Sequence, residues 1–566
     1  MKRLSLVLGS AIAALLCVEL SPVAAQQPNP NPNRDRFIQP PEEPFPEPIE
    51  TDPILPVPET VPTPTEGEET TFFVEKIEVL GSTVFTEADF APILEPLEGR
   101  SVTLGELKQA VAAINQLYLN AGYINSTAVL PDQEIRDRAI QIQVIEGKLS
   151  GVEVEGTQYL NPEYARSRVS LGSTFPLQST PLEDQLRLLR ANPLFDSVNA
   201  YLRPGEADGE TVLVVEVDEA RRIGGELAVN NYSPPSIGSM RTSASIFTRN
   251  LTGLGETWSV AFHRSTTGGS RIGDFGFQMP LNPMEGTLGL RAVIDKNEIT
   301  QSPFDEFDID GSSGLYEINF RQPLIRTPRE EFALSVGFSY KDGQTFVFDQ
   351  PTPFGIGPEA DGSSTTSVFR FGQDYTLRDV SGAWAFRSQF NFGVGILGAT
   401  TNESPIPDGR FFSWLGQVQR VQRLSPNNLL LVQGSLQLAS DSLLPSQQFV
   451  IGGGQSVRGF RQNARSGDNG FRFSVEDRIT LMRNERGESA LQLAPFFDMG
   501  AVWNRSGNPN TLPSRRFIAG IGSGILWSPL ENLALRLDFT LPLVNVRDRG
   551  TSLQDDGFYF SASYRF

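Results

Sequence analysis

The chain has 566 residues, 39% of them hydrophobic and 10% aromatic, with a formal net charge of −20 at pH 7. An acidic balance of that size argues against a general nucleic-acid binder, which needs Lys and Arg to neutralise phosphate. Cys17 and His263 are the only cysteine and the only histidine, so a Cys/His metal cluster is excluded, and one histidine placed in a strand pattern does not support a Ser-His-Asp triad.

Residues 1–25 read as a signal peptide. Lys2 and Arg3 form the basic start, Leu4 to Leu16 the apolar core, and Val23-Ala24-Ala25 the cleavage site. The apolar run is shorter than the ~20 residues a transmembrane helix needs. A lipoprotein signal does not fit, because bulky Leu16 precedes Cys17 where a small residue is required. Cys17 then leaves with the leader, and the exported chain has no thiol chemistry. No later stretch is apolar enough for a membrane helix. If the chain spans a membrane, it must do so as a closed barrel, the other structure that satisfies every backbone group in lipid.

Residues 26–70 carry Pro28, Pro30, Pro32, Pro40, Pro41, Pro44, Pro46 and Pro48, with many glutamates. Such a segment cannot bury a core and reads as an extended linker, with a spacer as the simplest role.

A repeat follows. Ile77-Glu78-Val79-Leu80-Gly81 returns as Val152-Glu153-Val154-Glu155-Gly156, about 75 residues later. Thr103-Leu104-Gly105-Glu106 returns as Thr180-Pro181-Leu182-Glu183, and both read as capping boxes that start a helix. Leu107, Val111, Ile114 and Tyr118 then share one helical face, ended by Gly122. Leu182, Leu186, Leu189 and Leu194 repeat that face. Each copy closes with two strands, Ile124–Val129 with Ala139–Glu146 and Val198–Leu202 with Thr211–Val217. The spacing predicts two β-α-α-β-β domains, over 71–148 and 149–220. A three-stranded sheet with helices on one face leaves an edge open to an extended peptide, although the modules also suit plain spacers.

From 221 to 566 the chain alternates. Trp258, Val260 and Phe262 oppose Ser259, Ala261 and His263, which makes His263 lumen-facing. Leu288, Leu290, Ala292 and Ile294 oppose Gly289, Arg291, Val293 and Asp295. The same rhythm runs through Tyr316–Phe320, Phe332–Tyr340, Trp384–Phe392, Leu430–Leu438 and Leu533–Leu541. At roughly 20 residues per strand and connection, this region supplies ~16 antiparallel transmembrane strands. The last strand ends Phe558-Tyr559-Phe560-Ser561-Ala562-Ser563-Tyr564-Arg565-Phe566, with its aromatic face at Phe558, Phe560, Tyr564 and Phe566 opposite a polar one.

Two motifs stand out within the barrel. Val457-Arg458-Gly459-Phe460 follows the glycine run Gly452-Gly453-Gly454, and Phe496-Phe497-Asp498-Met499-Gly500 comes about 40 residues later. On the latter strand Leu491, Leu493, Pro495, Phe497 and Met499 share the lipid face, so Phe496, Asp498 and Gly500 face the lumen. A lumenal aspartate attracts an arginine, whose planar fork matches a carboxylate.

The two modules, with Gly122-Tyr123-Ile124-Asn125-Ser126 and Val144-Ile145-Glu146-Gly147, together with these barrel motifs and the terminal Phe566, resemble the two-partner secretion transporters of the ShlB/FhaC/HecB haemolysin-secretion type, in the BamA-like superfamily. The resemblance covers about residues 72–566. It implies that the modules are POTRA domains in the periplasm and that the barrel lies in the outer membrane of a Gram-negative-type cell. It implies that the segment around 451–470 folds into the lumen, where Arg458, flanked by Val457, Gly459 and Phe460, meets Asp498 beside Phe496 and Gly500. An ordinary surface arginine in an extracellular loop is the alternative. The implied function is passage of an unfolded secreted exoprotein, of haemolysin or adhesin type, from the periplasm to the cell surface. No enzyme activity, cofactor or metal is expected. No Walker-type phosphate loop is present, because the glycine run lacks the Gly-Lys-Ser/Thr ending. Expected partners are the exoprotein, outer-membrane lipid and the barrel-assembly machinery, which would read Phe566 and Tyr564 as its insertion signal; nucleic acid is not among them. An insertase or protein-import channel of the same superfamily is the alternative function, although those usually carry more periplasmic modules. One departure from the family is visible: the Pro-rich 26–70 segment does not suit the amphipathic plug helix of some members.

Overall fold

A computed structural model describes residues 71–134, 138–302, 304–546 and 550–566. The signal peptide and the Pro-rich linker expected over 1–70 lie outside the described residues.

The first module contains the helices α1 (Glu87–Leu94) and α2 (Leu104–Asn120). Its sheet has the order Lys76–Leu80, Ala139–Ile145, Thr127–Val129, with the first pairing parallel and the second antiparallel. Leu107, Ala110, Ile114 and Tyr118 of α2 are buried against Ile77, Ile140, Ile142 and Val144 of the sheet, so one helical stripe meets one sheet face. The N-terminal capping box of α2 is present: the Glu106 amide donates to Thr103 Oγ1 at 3.1 Å, and the Thr103 amide donates to Glu106 Oε2 at 2.7 Å. The second module places α3 (Pro162–Val169) and α4 (Ser179–Arg190) on a sheet of order Lys148–Glu155, Glu210–Glu219, Phe195–Pro204. Leu182, Leu186, Leu189 and Leu194 are buried in its core.

Three details differ from the sequence expectation. The first module has an additional two-stranded ribbon, Thr71–Val74 with Arg100–Thr103, so it is more than a β-α-α-β-β unit. The closing strand of that module starts at Thr127; Ile124, expected inside it, packs instead on the core of the second module. Thr180 does not cap α4. The helix begins one residue earlier, at Ser179, with Gln178 at the N-cap and no side-chain cap bond. Thr180 is thus already helical, and the Thr-x-x-Glu spacing there is not a capping box.

Among the described residues, sixteen long antiparallel strands form a closed barrel from Ile223–Asn230 to Phe558–Arg565, and the two-residue strand Gln350–Pro351 extends one hairpin. Closure runs from Ser561 opposite Asn230 to Arg565 opposite Glu226. The alternation holds: Trp258, Val260 and Phe262 are exposed on the outside, while His263 on the same strand is buried toward the lumen. No helix among the described residues is long and apolar enough to cross a membrane; the strands do the crossing.

Candidate functional site: an inserted loop held by a lumenal ion cluster

The connection between strands Asn428–Ala439 and Asn469–Arg483 turns back into the barrel. Its stem is a small hairpin, Phe449–Ile451 with Arg465–Gly467. The tip needs glycine: Gly452, Gly453 and Gly459 all have positive φ, 107°, 101° and 95°. The Gly453 amide donates to the Val457 carbonyl at 3.1 Å, and the Gly452 amide to Ser456 Oγ at 2.8 Å, which tightens the turn.

This turn presents Arg458 to the wall. Arg458 Nε donates to Asp498 Oδ2 at 2.6 Å and Nη2 to Oδ1 at 3.0 Å, a bidentate fork. The Arg458 amide donates to the same carboxylate at 3.2 Å. The guanidinium lies over Phe496, with Cζ 3.2 Å from the ring centroid. Asp498 is 0% exposed and Arg458 is 5% exposed. Ser474 Oγ donates a further bond to Asp498 Oδ1 at 2.6 Å.

The pair belongs to a larger cluster. Arg458 Nη1 donates to Glu476 Oε2 at 2.7 Å. Glu476 also receives Arg536 Nη2 at 2.7 Å and Arg478 Nε at 2.9 Å. Arg536 Nε in turn reaches Asp538 Oδ2 at 2.8 Å. Three guanidiniums thus interleave with three carboxylates. Buried charges survive only when paired in this way, because each loses several kcal/mol of hydration.

Apolar contacts complete the seat. Val457 and Phe460 are buried with Phe449, Ile451, Val502, Ile518 and Val546. Gly500 makes room for them: a Cβ there would stand 2.7 Å from the Phe471 carbonyl and 3.3 Å from Val457 Cγ2. Gly520 plays the same part for the loop backbone, since a Cβ there would meet the Arg458 carbonyl at 2.3 Å. Beyond the tip, Arg461 Nε donates to Asp555 Oδ1 at 2.7 Å, and the Gln462 amide donates to Gln554 Oε1 at 2.8 Å.

The structure therefore brings Val457, Arg458, Gly459, Phe460, Phe496, Asp498 and Gly500 into one site. Phe566 and Tyr564 lie elsewhere, on the closing seam: Phe566 and Gly225 exchange two backbone bonds of 3.0 Å, and Tyr564 pairs with Leu227. Sequence reasoning did not assign Glu476, Arg478 or Tyr559 to the site. The signal was available for the first two. Arg472, Ser474, Glu476 and Arg478 fall on every second residue of one strand and oppose Phe471, Phe473 and Val475. Which of those lumenal charges meets the loop is a matter of register between strands distant in sequence. No cluster suited to holding a metal ion is found among the described residues.

POTRA-type modules ahead of a sixteen-stranded barrel with a loop folded into its lumen define an outer-membrane polypeptide transporter architecture. A family model described as haemolysin secretion/activation protein ShlB/FhaC/HecB matches residues 209–526, and a ShlB-type POTRA domain model matches residues 72–147. The chain belongs to the ShlB/FhaC/HecB family. It is 23% identical over 480 residues to the heme/hemopexin transporter protein HuxB of Haemophilus influenzae (strain 86-028NP), covering 82% of each chain. It is 23% identical over 439 residues to the outer membrane transporter CdiB of Escherichia coli O6:K15:H31, covering 74% of this chain and 70% of that one. The solved structure of CdiB from Escherichia coli superposes with a TM-score of 0.67 at 20% identity, over 90% of this chain and 94% of the other; that likeness concerns the fold.

Proposed function

We propose that the chain moves a secreted partner polypeptide from the periplasm to the cell surface. The barrel sits in the outer membrane and the POTRA modules in the periplasm. The observation that carries this reading is the pairing of two peptide-scale modules with a lumen occupied by a folded-in loop rather than by the barrel wall itself. A passive porin has no use for either. The protein works as a transporter and not as an enzyme.

The steps follow from the parts. An unfolded exoprotein segment, of haemolysin or adhesin type, adds to an exposed sheet edge of the modules, where backbone hydrogen bonds give affinity with little sequence demand. The segment enters the lumen. The tip at 452–464 shifts, with Arg458 leaving or exchanging its partners among Asp498, Glu476 and Asp538, and the passage opens. Folding of the exoprotein outside draws the chain forward without ATP. Outer-membrane lipid surrounds the outward apolar face of the strands, and the barrel-assembly machinery inserts the barrel by reading Tyr564 and Phe566.

The test is export of a secreted exoprotein, sought among the genes that flank this one. Deleting the chain should leave that exoprotein in the periplasm while other outer-membrane barrels assemble normally. Unimpaired export together with defective barrel assembly would overturn the reading in favour of an insertase.

A further inference from the structure

We propose that Glu285 is the positioning residue that locks the second POTRA module onto the periplasmic rim of the barrel in a single orientation. The proposal deepens, and rests on, the transport reading above. Glu285 lies in the tight turn between strands Ser270–Pro280 and Thr287–Glu298. Its Oε1 accepts from Arg168 Nε at 2.7 Å and from the Tyr164 hydroxyl at 3.0 Å, both on α3. Arg326 Nη1, at the end of strand Ile309–Arg326, stands 3.9 Å from the same oxygen. One carboxylate oxygen thus ties the module to two successive hairpins of the barrel.

The partners of Glu285 are built for the purpose. Arg168 is buried, lies with Cζ 3.3 Å from the Tyr164 ring centroid, and donates Nη1 to the Tyr164 carbonyl at 2.9 Å. Asn192 Nδ2 donates to the Tyr164 hydroxyl at 3.0 Å, which aims the O–H at Glu285. The backbone of Glu285 itself has a φ of 62°. Glycine takes that conformation without strain, whereas a side chain there costs energy. The glutamate holds a position that turn geometry would give to glycine, and the carboxylate accounts for it.

Neighbouring turns supply fit but no equivalent charge hub. The Asn161 amide donates to the Gly253 carbonyl at 3.0 Å. Gly255 lies so close that a Cβ would reach 2.6 Å from the Tyr164 ring and 3.0 Å from Leu194. Asp184 of α4 stands 3.8 Å from Arg329 in a third turn. The covalent link is short, since only three residues, 220–222, separate strand Glu210–Glu219 from the strand that begins at Ile223. A short link without the hub still allows rotation about its own backbone bonds; the hub removes that freedom. Elsewhere on the rim, Arg486 and Glu531 pair with each other across two turns at 2.7 Å and not with the module.

The experiment uses the full chain in native outer membranes. Spin labels go on cysteines introduced as Asp208→Cys in the module and Glu485→Cys on the far rim. The sole natural cysteine, Cys17, lies in the expected leader. A single narrow distance is expected with Glu285 present. Glu285→Ala should replace it by a broad distribution, and Glu285→Gln, which keeps an acceptor but not the charge, should fall between. Heat-modifiable migration of the barrel should stay unchanged, which separates positioning from folding. Export should fall with the broadening. An unchanged narrow distance in Glu285→Ala would overturn the lock, and a broadened distance with full export would overturn its role in transport. If the unsubstituted chain exports nothing, the transport reading fails, while the distance measurement still decides the lock.

Discussion

Tyr559 holds Gly459. The Gly459 amide donates to the Tyr559 hydroxyl at 2.8 Å, and that hydroxyl donates onward to the Phe460 carbonyl at 2.6 Å. Tyr559 belongs to the strand that closes the barrel, so one phenol on the polar face of the last strand satisfies two backbone groups of the inserted tip. Tyr559→Phe should leave both groups buried and unpaired, at a cost of about 1–3 kcal/mol each. The expected outcome is faster hydrogen exchange across 452–464 with the barrel still closed. Exchange identical to the unsubstituted chain would show that the phenol does not restrain the loop.

Arg458 and Asp498 should behave asymmetrically with respect to their replacements. Arg458→Ala strands Asp498 and Glu476 as buried anions, and Asp498→Asn leaves the arginine half-matched; breaking a buried pair costs about 3–5 kcal/mol. Both variants should insert but export poorly. Arg458→Lys should not rescue, because an ammonium cannot span Asp498 and Glu476 with the fork geometry seen here or stack on Phe496. Export of the partner protein, normalised to the amount of heat-modifiable barrel, reads all three. Full export by the lysine variant would mean that charge alone suffices.

Thr103 and Thr180 look alike in sequence and differ in the fold, which gives a paired test. Thr103→Ala removes a real N-cap of α2 and should cost about 1 kcal/mol. Thr180→Ala, inside α4, should change little. Hydrogen exchange of the first turn of each helix in the intact protein resolves the two, with faster exchange expected only after Thr103→Ala.

That contrast marks where local pattern reading stops. Alternation with period two survives in the barrel because each strand must face lipid and water, so Phe262 and His263 separate in the sequence as they do in space. The lumenal direction of Asp498 was legible for the same reason. Helix starts were less so: Thr-x-x-Glu occurs at both 103–106 and 180–183, and only tertiary packing of α4, which begins at Ser179, decides that the second is not a cap. Nothing local tells Ile124 to serve the joint between modules instead of a strand. The ion cluster was legible only in part, because Glu476 meets both Arg458 and Arg536 through strand register and not through spacing.

Asp555 supplies a pH test outside the membrane-spanning strands. Burial alone would raise its pKa, but the Arg461 guanidinium, the Gly550 and Ser552 amides and the Ser552 hydroxyl together lower it to about 2. An unperturbed aspartate titrates near 3.9. A depressed carboxylate contributes stability that is complete above its unfolded pKa and is lost as pH falls through the folded value. The Arg461–Asp555 tie should therefore be constant from neutrality down to about pH 5 and weaken between about pH 4 and pH 2. Protease cleavage at the tip, measured after brief acid exposure, should rise only in that window, and Asp555→Asn should abolish the step. A rise already present at pH 6 would assign the opening to another group.

Phe566 and Gly225 give the last test, of how the closing strand is used. Their two backbone bonds extend the seam beyond Arg565, and a Cβ at Gly225 would meet Phe566 Cζ at 2.5 Å. Deleting Phe566 removes both the terminal aromatic and those bonds, whereas Gly225→Val keeps the aromatic and crowds both its ring and the Ser245 carbonyl of the neighbouring strand, 2.6 Å from the added Cβ. If the aromatic is the insertion signal, the deletion should lower the amount of barrel in the outer membrane while export per inserted barrel stays normal. Gly225→Val should then insert at ordinary levels and show a weaker seam, read as a lower temperature for loss of heat-modifiable migration. Equal insertion defects in both variants would place the requirement in the seam itself and not in recognition of the terminal residue.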